Sequence, residues 1–120
     1  MANILIAEDE GAVRTFLTRA MQSQGHDVKA VADGVQALNA LQKGKFDLLL
    51  SDIVMPELDG ISLALKVSRD WPDMPIVLIT GFAKERQRAH NLEALVHCVV
   101  PKPFDLEKIC GIVAEALEAR

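Results

Sequence analysis

Along the chain, short apolar runs alternate with longer segments of helical period. Asn3-Ile4-Leu5-Ile6-Ala7-Glu8 predicts a short buried strand. Val13, Leu17, Ala20 and Met21 predict a helix over roughly 11–24, and Gly25 suits the positive φ that often ends one. Residues 26–31 predict a second strand, whose stronger alternation places it nearer a sheet edge. Asp33 is the expected cap of a helix over 34–43 built on Val35, Leu38 and Leu41, with Gly44 closing it. Residues 46–52 predict a third strand with a continuously apolar middle, which suits a central position. After a turn at 56–60, Ile61, Ala64 and Leu65 start a third helix that ends before Pro72, with Trp71 packing at its boundary. Residues 75–80 predict a fourth strand. A short polar helix is expected over 84–92, then a fifth strand over 97–100. A stiff loop, Pro101-Lys102-Pro103-Phe104, leads into a last helix over 105–118. Asp105 caps it, and Leu106, Ile109, Val113 and Leu117 share one face.

Strand and helix alternate five times, which predicts an α/β domain: a parallel sheet with helices on both faces. The 120 residues, 13.1 kDa, suit one core. A single domain over 1–120 is expected, without repeat, linker or output domain. Half the residues are apolar and periodic, so disorder is excluded. No apolar run is long enough to cross a bilayer, and the start lacks the basic flank of a secretory signal. A cytoplasmic protein is expected. Cys98 and Cys110 have no metal-ligand spacing and are read as two buried reduced thiols. The net charge of -4 leaves few basic residues to neutralise nucleic-acid phosphates. The densest basic stretch, Lys84-Glu85-Arg86-Gln87-Arg88, is read as a solvated helix face.

Ligands of such sheets bind beyond the carboxyl ends of the strands, near the switch in strand order. Glu8 and Asp9 end the first strand, Asp52 the third and Thr80 the fourth, and Lys102 follows the fifth. Singly, each has a plain structural role as a cap, a strand end or a surface residue. Together they form a set. Three neighbouring carboxylates repel one another and raise at least one pKa, a cost that a divalent cation removes. Oxygen ligands suit Mg²⁺, while His26, His90 and His97 are scattered and make no zinc site.

Two chemistries stay open: metal-assisted hydrolysis, and a carboxylate acting as the nucleophile to form an aspartyl-phosphate. Asp52, at the end of a central strand, has the setting for the second. The metal would bridge Asp52 and phosphoryl oxygens, Lys102 would add positive charge, and Thr80 Oγ would donate to a phosphoryl oxygen. A hydrolase needs a general acid near the nucleophile, and Val54, two residues after Asp52, cannot act as one. The prolines around Lys102 restrict its loop, and the Lys102–Pro103 bond is a candidate for cis. Gly60 reads as a backbone requirement after Asp52, and Gly81 as space beside Thr80.

Glu8-Asp9, Asp52-Ile53-Val54-Met55-Pro56-Glu57-Leu58-Asp59-Gly60, Thr80-Gly81 and Lys102-Pro103-Phe104, in that order, resemble the receiver domain of bacterial two-component response regulators. The resemblance covers nearly the whole chain. It implies a three-layer (βα)5, flavodoxin-like fold with a five-stranded parallel sheet, order 2-1-3-4-5, flanked by five helices. It implies phosphorylation at Asp52, with Mg²⁺ ligated by Asp9, Asp52 and the Val54 backbone carbonyl, and by Glu8 through a water. Thr80 and Lys102 would contact the phosphoryl group. The donor would be a histidine kinase or a histidine phosphotransfer protein, so the domain catalyses its own modification but is not a turnover enzyme.

Two features depart from the common pattern: Glu8 stands where many receivers have aspartate, and Val99 where many have Tyr or Phe. With no aromatic ring at 99, the signalling surface would rely on Thr80, the following loop and Phe82, and phosphorylation of Asp52 would shift a balance between two surfaces around residues 81–110. The donor is expected to dock near Gly11, Ala12, Thr15 and the Pro103-Phe104 loop, with Phe104 more exposed than a core residue. The stretches 52–56, 79–83 and 102–106 are also similar to a stand-alone class of receivers. That likeness implies phosphoryl groups received from a phosphotransfer protein and control of proteolysis by the ClpXP machine in a cell-cycle pathway.

Overall fold

The computed structural model describes residues 2–81 and 95–119. The expected helix over 84–92, the basic stretch 84–88, Phe82 and His90 lie outside the described residues. In chain order the elements are β1 (Asn3–Ala7), α1 (Gly11–Ser23), β2 (Asp27–Val31), α2 (Gly34–Lys43), β3 (Leu48–Asp52), α3 (Gly60–Asp70), β4 (Ile76–Thr80), β5 (Cys98–Pro101) and α4 (Leu106–Ala119). All the strand pairs are parallel and the order is β2-β1-β3-β4-β5. The chain winds outward from β1 to β2 and then crosses back to β3, so the switch in direction falls between β1 and β3.

Period-2 alternation sends each strand's apolar residues into two cores. Leu5, Leu49, Ile76 and Leu78 pack with Ala37 and Leu41 of α2 and with Leu63, Ala64 and Val67 of α3. Ile4, Ile6, Leu48, Leu50, Val77 and Ile79 pack on the other face, with Leu17 and Met21 of α1 and Ile109 and Val113 of α4. The result is three layers, helix, sheet and helix. Every residue of β3 and β4 is buried, as the apolar middles of both strands predict. A Leu50→Ala truncation in this setting costs about 2–5 kcal/mol.

Asp33, Asp59 and Asp105 cap α2, α3 and α4, each carboxylate accepting a 2.8 Å bond from the backbone N–H three residues on. Gly25, with φ 86°, follows α1. Trp71 is the C-cap of α3 and packs half-buried on the core.

Three helix faces differ from expectation. In α2, Gly34 and Ala37 are buried with Leu41, while Val35 is exposed. In α3, Leu63 and Val67 face inward and Leu65 faces out. In α4, Leu106 is exposed and Ala116 is buried. The buried line follows the helical period through Gly34, Ala37 and Leu41, through Gly60, Leu63, Ala64 and Val67, and through Ile109, Val113 and Ala116, and the exposed residues fall off it. Residues 46 and 47 precede β3, because the Asp47 carboxylate accepts from the Asn3 N–H at 2.7 Å ahead of the first ladder pair. The two thiols are free but half-buried rather than buried. Cys98 lies on an edge strand, and Cys110 on the flank of α4 with Sγ 3.7 Å from the Ala20 carbonyl.

Candidate functional site

The parallel register aligns the carboxyl ends of the inner strands. Ala7 pairs with Ser51, Asp52 with Ile79, and Thr80 with Pro101. Glu8, Asp52, Thr80 and Lys102 therefore leave four adjacent strands at one edge of the sheet, beside the β1–β3 switch.

Two contacts fix the backbone of Asp52. A Cβ on Gly60 would lie 2.2 Å from the Asp52 carbonyl oxygen, so only glycine lets α3 start against this strand end. The Gly60 N–H donates to the Ile53 carbonyl at 2.8 Å. The side chain is held as well: Asp52 Oδ1 accepts from the Ile53 N–H at 2.9 Å, and Oδ2 from Lys102 Nζ at 3.2 Å. The Lys102–Pro103 bond is cis, and the Lys102 N–H donates to the Thr80 carbonyl at 2.7 Å. Gly81 is less constrained, since a Cβ there would meet Lys102 Cδ at an ordinary 3.5 Å.

Glu8 is fully buried. Its Oε2 accepts from the Glu10 N–H at 3.0 Å, and the Arg14 guanidinium donates to its backbone carbonyl at 2.9 Å. Oε1 lies 3.7 Å from Lys102 Nζ and has no hydrogen-bond partner among the described residues. Burial, with the nearby Asp52 charge adding to it, pushes the Glu8 carboxyl up to about 7, against the pull of the Glu10 N–H and of Lys102. Burial pulls the Lys102 ammonium down, but Asp52 and Glu8 together outweigh it and its pKa is raised. Lys102 thus stays cationic.

Asp9 is exposed, and Glu8, Asp9 and Asp52 each offer an oxygen within 4.8 Å of the others. An orphaned buried carboxylate oxygen beside two more carboxylates is a donor set that fits a hard divalent cation such as Mg²⁺. Thr80 is buried at the end of β4, and Val54 is exposed in the loop after β3. Val99 is half-buried against the α2–α3 core. His26 and His97 lie elsewhere: His26 Nδ1 accepts from the Ala2 N–H, and His97 Nε2 is 3.6 Å from Glu115.

Beside the acidic cluster, Ala12, Val13, Phe16, Pro103 and Phe104 line an open cleft of about 480 Å³. Ala12 and the Pro103-Phe104 loop are in it as expected, while Gly11 and Thr15 are not among its lining residues. Phe104 is half-buried, its ring centroid 6.2 Å from that of Phe16. Phe16 escaped the sequence reading, although its spacing from Val13 and Ala20 puts it on the flank of the buried face. Arg14 escaped as well, because a charged residue in a first helical turn carries no signal of the carbonyl it will reach. A larger cleft of about 760 Å³, around Phe46, Trp71 and Met74, lies at the other end of the sheet and holds none of these residues.

Residues 4–114 match the family model described as the response regulator receiver domain. The chain belongs to this family. It is a homologue of the response regulator receiver protein CpdR of Brucella abortus, 39% identical over 99% of both chains. It is also 39% identical to part of the sensor kinase CckA of the same organism, with 98% of this chain spanning 13% of that kinase. The solved structure of the response regulator protein TrrA from Thermotoga maritima, in complex with Mg(2+)-BeF, superposes with a TM-score of 0.87. Identity there is 26%, over 97% of this chain and 99% of that one. The chain is thus a receiver domain of a two-component system, a signalling module rather than a turnover enzyme, and its family implies a histidine kinase as partner. Among the described residues, no helix is long and apolar enough to cross a membrane.

Proposed function

We propose that this receiver accepts a phosphoryl group on Asp52 from a phosphohistidine donor, with Mg²⁺, and signals through contacts that differ between its two forms. The observation that carries this is the 3.2 Å approach of Lys102 Nζ to Asp52 Oδ2, beside three carboxylates whose oxygens lie within 4.8 Å of one another. Asp9, Asp52 and the Val54 backbone carbonyl would hold the cation directly, and Glu8 through a water. The solved TrrA complex, which contains Mg(2+)-BeF, supports this assignment. Bound there, the cation supplies positive charge against the carboxylates and the phosphoryl oxygens.

The rest is the work of the chain's own groups. A carboxylate oxygen of Asp52 bonds to phosphorus as the P–N bond of the donor breaks, and the electron pair returns to the donor imidazole nitrogen. The side chain is already oriented by the Ile53 N–H, so little freedom is lost on reaction. Lys102 holds the incoming phosphoryl oxygens, and Thr80 Oγ donates to one of them once the product forms. The donor, a histidine kinase or a histidine phosphotransfer protein, seats against the Phe16–Phe104 cleft. Likeness to CpdR along the whole chain supports an output in the cytoplasm that controls ClpXP-dependent proteolysis, through ClpXP itself or through its substrates and adaptors.

The test is intact mass after incubation with a small-molecule phosphodonor and Mg²⁺. The expected result is an acid-labile gain of one phosphoryl group that needs Mg²⁺ and is absent in Asp52→Asn. No gain in the wild type, with Mg²⁺ binding verified, would leave a receiver that acts as a binding module only.

A further inference from the structure

The loop between β3 and α3 carries Val54 and is tied down at two places by close backbone contact. One is Gly60 against Asp52. The other is Gly34, the first residue of α2, which is far from Asp52 in sequence. A Cβ on Gly34 would fall 2.3 Å from the Leu58 carbonyl oxygen and 2.8 Å from Leu58 Cβ. Both distances are well below contact, so Gly34→Ala forces one partner to move.

The side that yields follows from what holds each. Helix α2 is fixed by its Asp33 cap and by Ala37 and Leu41 in the core. The loop has exposed residues at Val54, Pro56 and Glu57. It also carries local strain: Glu57 has φ 68°, and the Leu58 N–H closes back on the Pro56 carbonyl at 2.8 Å. That is a γ-turn with a positive central φ, a rare and strained form, here at a residue other than glycine. Such a turn persists only where its surroundings hold it. Buried Met55 anchors the loop on one side of the turn, and Leu58, packed half-buried on the core and seated against Gly34, holds it on the other.

We infer that Gly34 is a positioning residue for the phosphoryl site: by letting α2 lie against Leu58, it fixes the 54–58 loop relative to the Asp52 carboxylate. This rests on the function proposed above, with Val54 as a cation ligand. Gly34 touches neither cation nor phosphoryl group and acts through Leu58. A displacement of about 1 Å in such a site can cost on the order of a hundredfold in rate.

The experiment compares wild type, Gly34→Ala and Gly111→Ala, the last a glycine in α4 with nothing within 4 Å of an added Cβ. Mg²⁺ dissociation constants are measured by calorimetry. Backbone amide shifts of residues 53–60 are recorded without metal, and phosphorylation rates are followed against Mg²⁺ concentration. In Gly34→Ala the 53–60 amides are expected to shift before any metal is added. The Mg²⁺ constant should rise about tenfold, and the rate at low Mg²⁺ should fall further than the rate at saturation. Gly111→Ala should match wild type in all three. A folded Gly34→Ala with wild-type Mg²⁺ affinity overturns the inference, even if its stability falls. Should Gly34→Ala not fold, Leu58→Ala decides: it keeps the glycine but removes the seated side chain, and an unchanged Mg²⁺ constant there overturns the inference equally. Failure of the wild type to take up a phosphoryl group would instead overturn the proposed function.

Discussion

Lys102 Nζ sits 3.2 Å from Asp52 Oδ2 and 3.7 Å from Glu8 Oε1, one ammonium shared by two buried carboxylates at the carboxyl ends of β3 and β1. On the proposed function, it occupies the place where a phosphoryl group's negative charge would develop. In the metal-free protein it also offsets part of the repulsion within the acidic cluster.

Lys102→Met should therefore separate two roles. Phosphorylation from a small-molecule donor is expected to slow by about a hundredfold or more, the usual cost of losing one preorganised charge donor. Mg²⁺ affinity should hold or increase, because a competing cation has gone. Initial rates by intact mass, with calorimetry for the metal, check both. A weaker Mg²⁺ site in this variant would mean that Lys102 mainly holds the carboxylates in place.

Mg²⁺ should stabilise the fold. A ligand present at ten times its dissociation constant and bound only by the native state adds about 1.4 kcal/mol. Thermal unfolding with and without Mg²⁺ should show this gain in wild type. It should be largely lost in Asp9→Asn and in Asp52→Asn, both of which should still fold cooperatively.

Gly60→Ala should be the most damaging small substitution near the site. Its Cβ would meet the Asp52 carbonyl at 2.2 Å and Ile53 Cα at 2.8 Å, in backbone that cannot move aside. A loss of about 3 kcal/mol is expected from such overpacking. Gly111→Ala should gain up to about 1 kcal/mol, as an unobstructed helix-interior position does. Urea denaturation of the pair checks the contrast.

Phe104→Ala should distinguish donors. The ring lines the cleft beside the site, and Asp52 is not among that cleft's lining residues, so phosphorylation from a small molecule should stay near wild type. Transfer from a phosphohistidine protein should lose about tenfold or more in apparent affinity, the scale of one aromatic anchor. Equal loss with both donors would place the defect in the site itself.

His26 should make a pH-dependent contribution to stability. Burial lowers its pKa from the model-compound 6.5, with Asp47 pulling the other way. A base whose pKa is depressed on folding supports the fold fully above its unfolded value, near 6.5, and loses that support as pH falls towards the lower folded value. Its Nδ1 accepts a hydrogen bond from the Ala2 N–H, which protonation would break. In urea titrations between pH 7.5 and pH 5, His26→Gln should show a smaller loss of stability than wild type.

Much of this protein was legible in its sequence. Period-2 and period-3.6 spacing located the five strands and four described helices, because burial of one face demands those periods. The ends of β1, β3 and β4 and the loop after β5 carried Glu8, Asp9, Asp52, Thr80 and Lys102, and a parallel sheet must bring such ends to one edge. Gly60 stood out because it lies near Asp52 in sequence.

Only the tertiary structure decided which apolar residues meet. Val35, Leu65 and Leu106 are as apolar as Ala37, Leu63 and Ala116, but which of them face inward depends on how each helix docks on the sheet. It also decided that Lys102 reaches both Glu8 and Asp52, that Phe16 joins Phe104, and that Gly34 lies against Leu58. Each of these pairs is distant in sequence, and a close approach between distant backbones depends on how whole elements dock. Spacing along one chain carries no record of that.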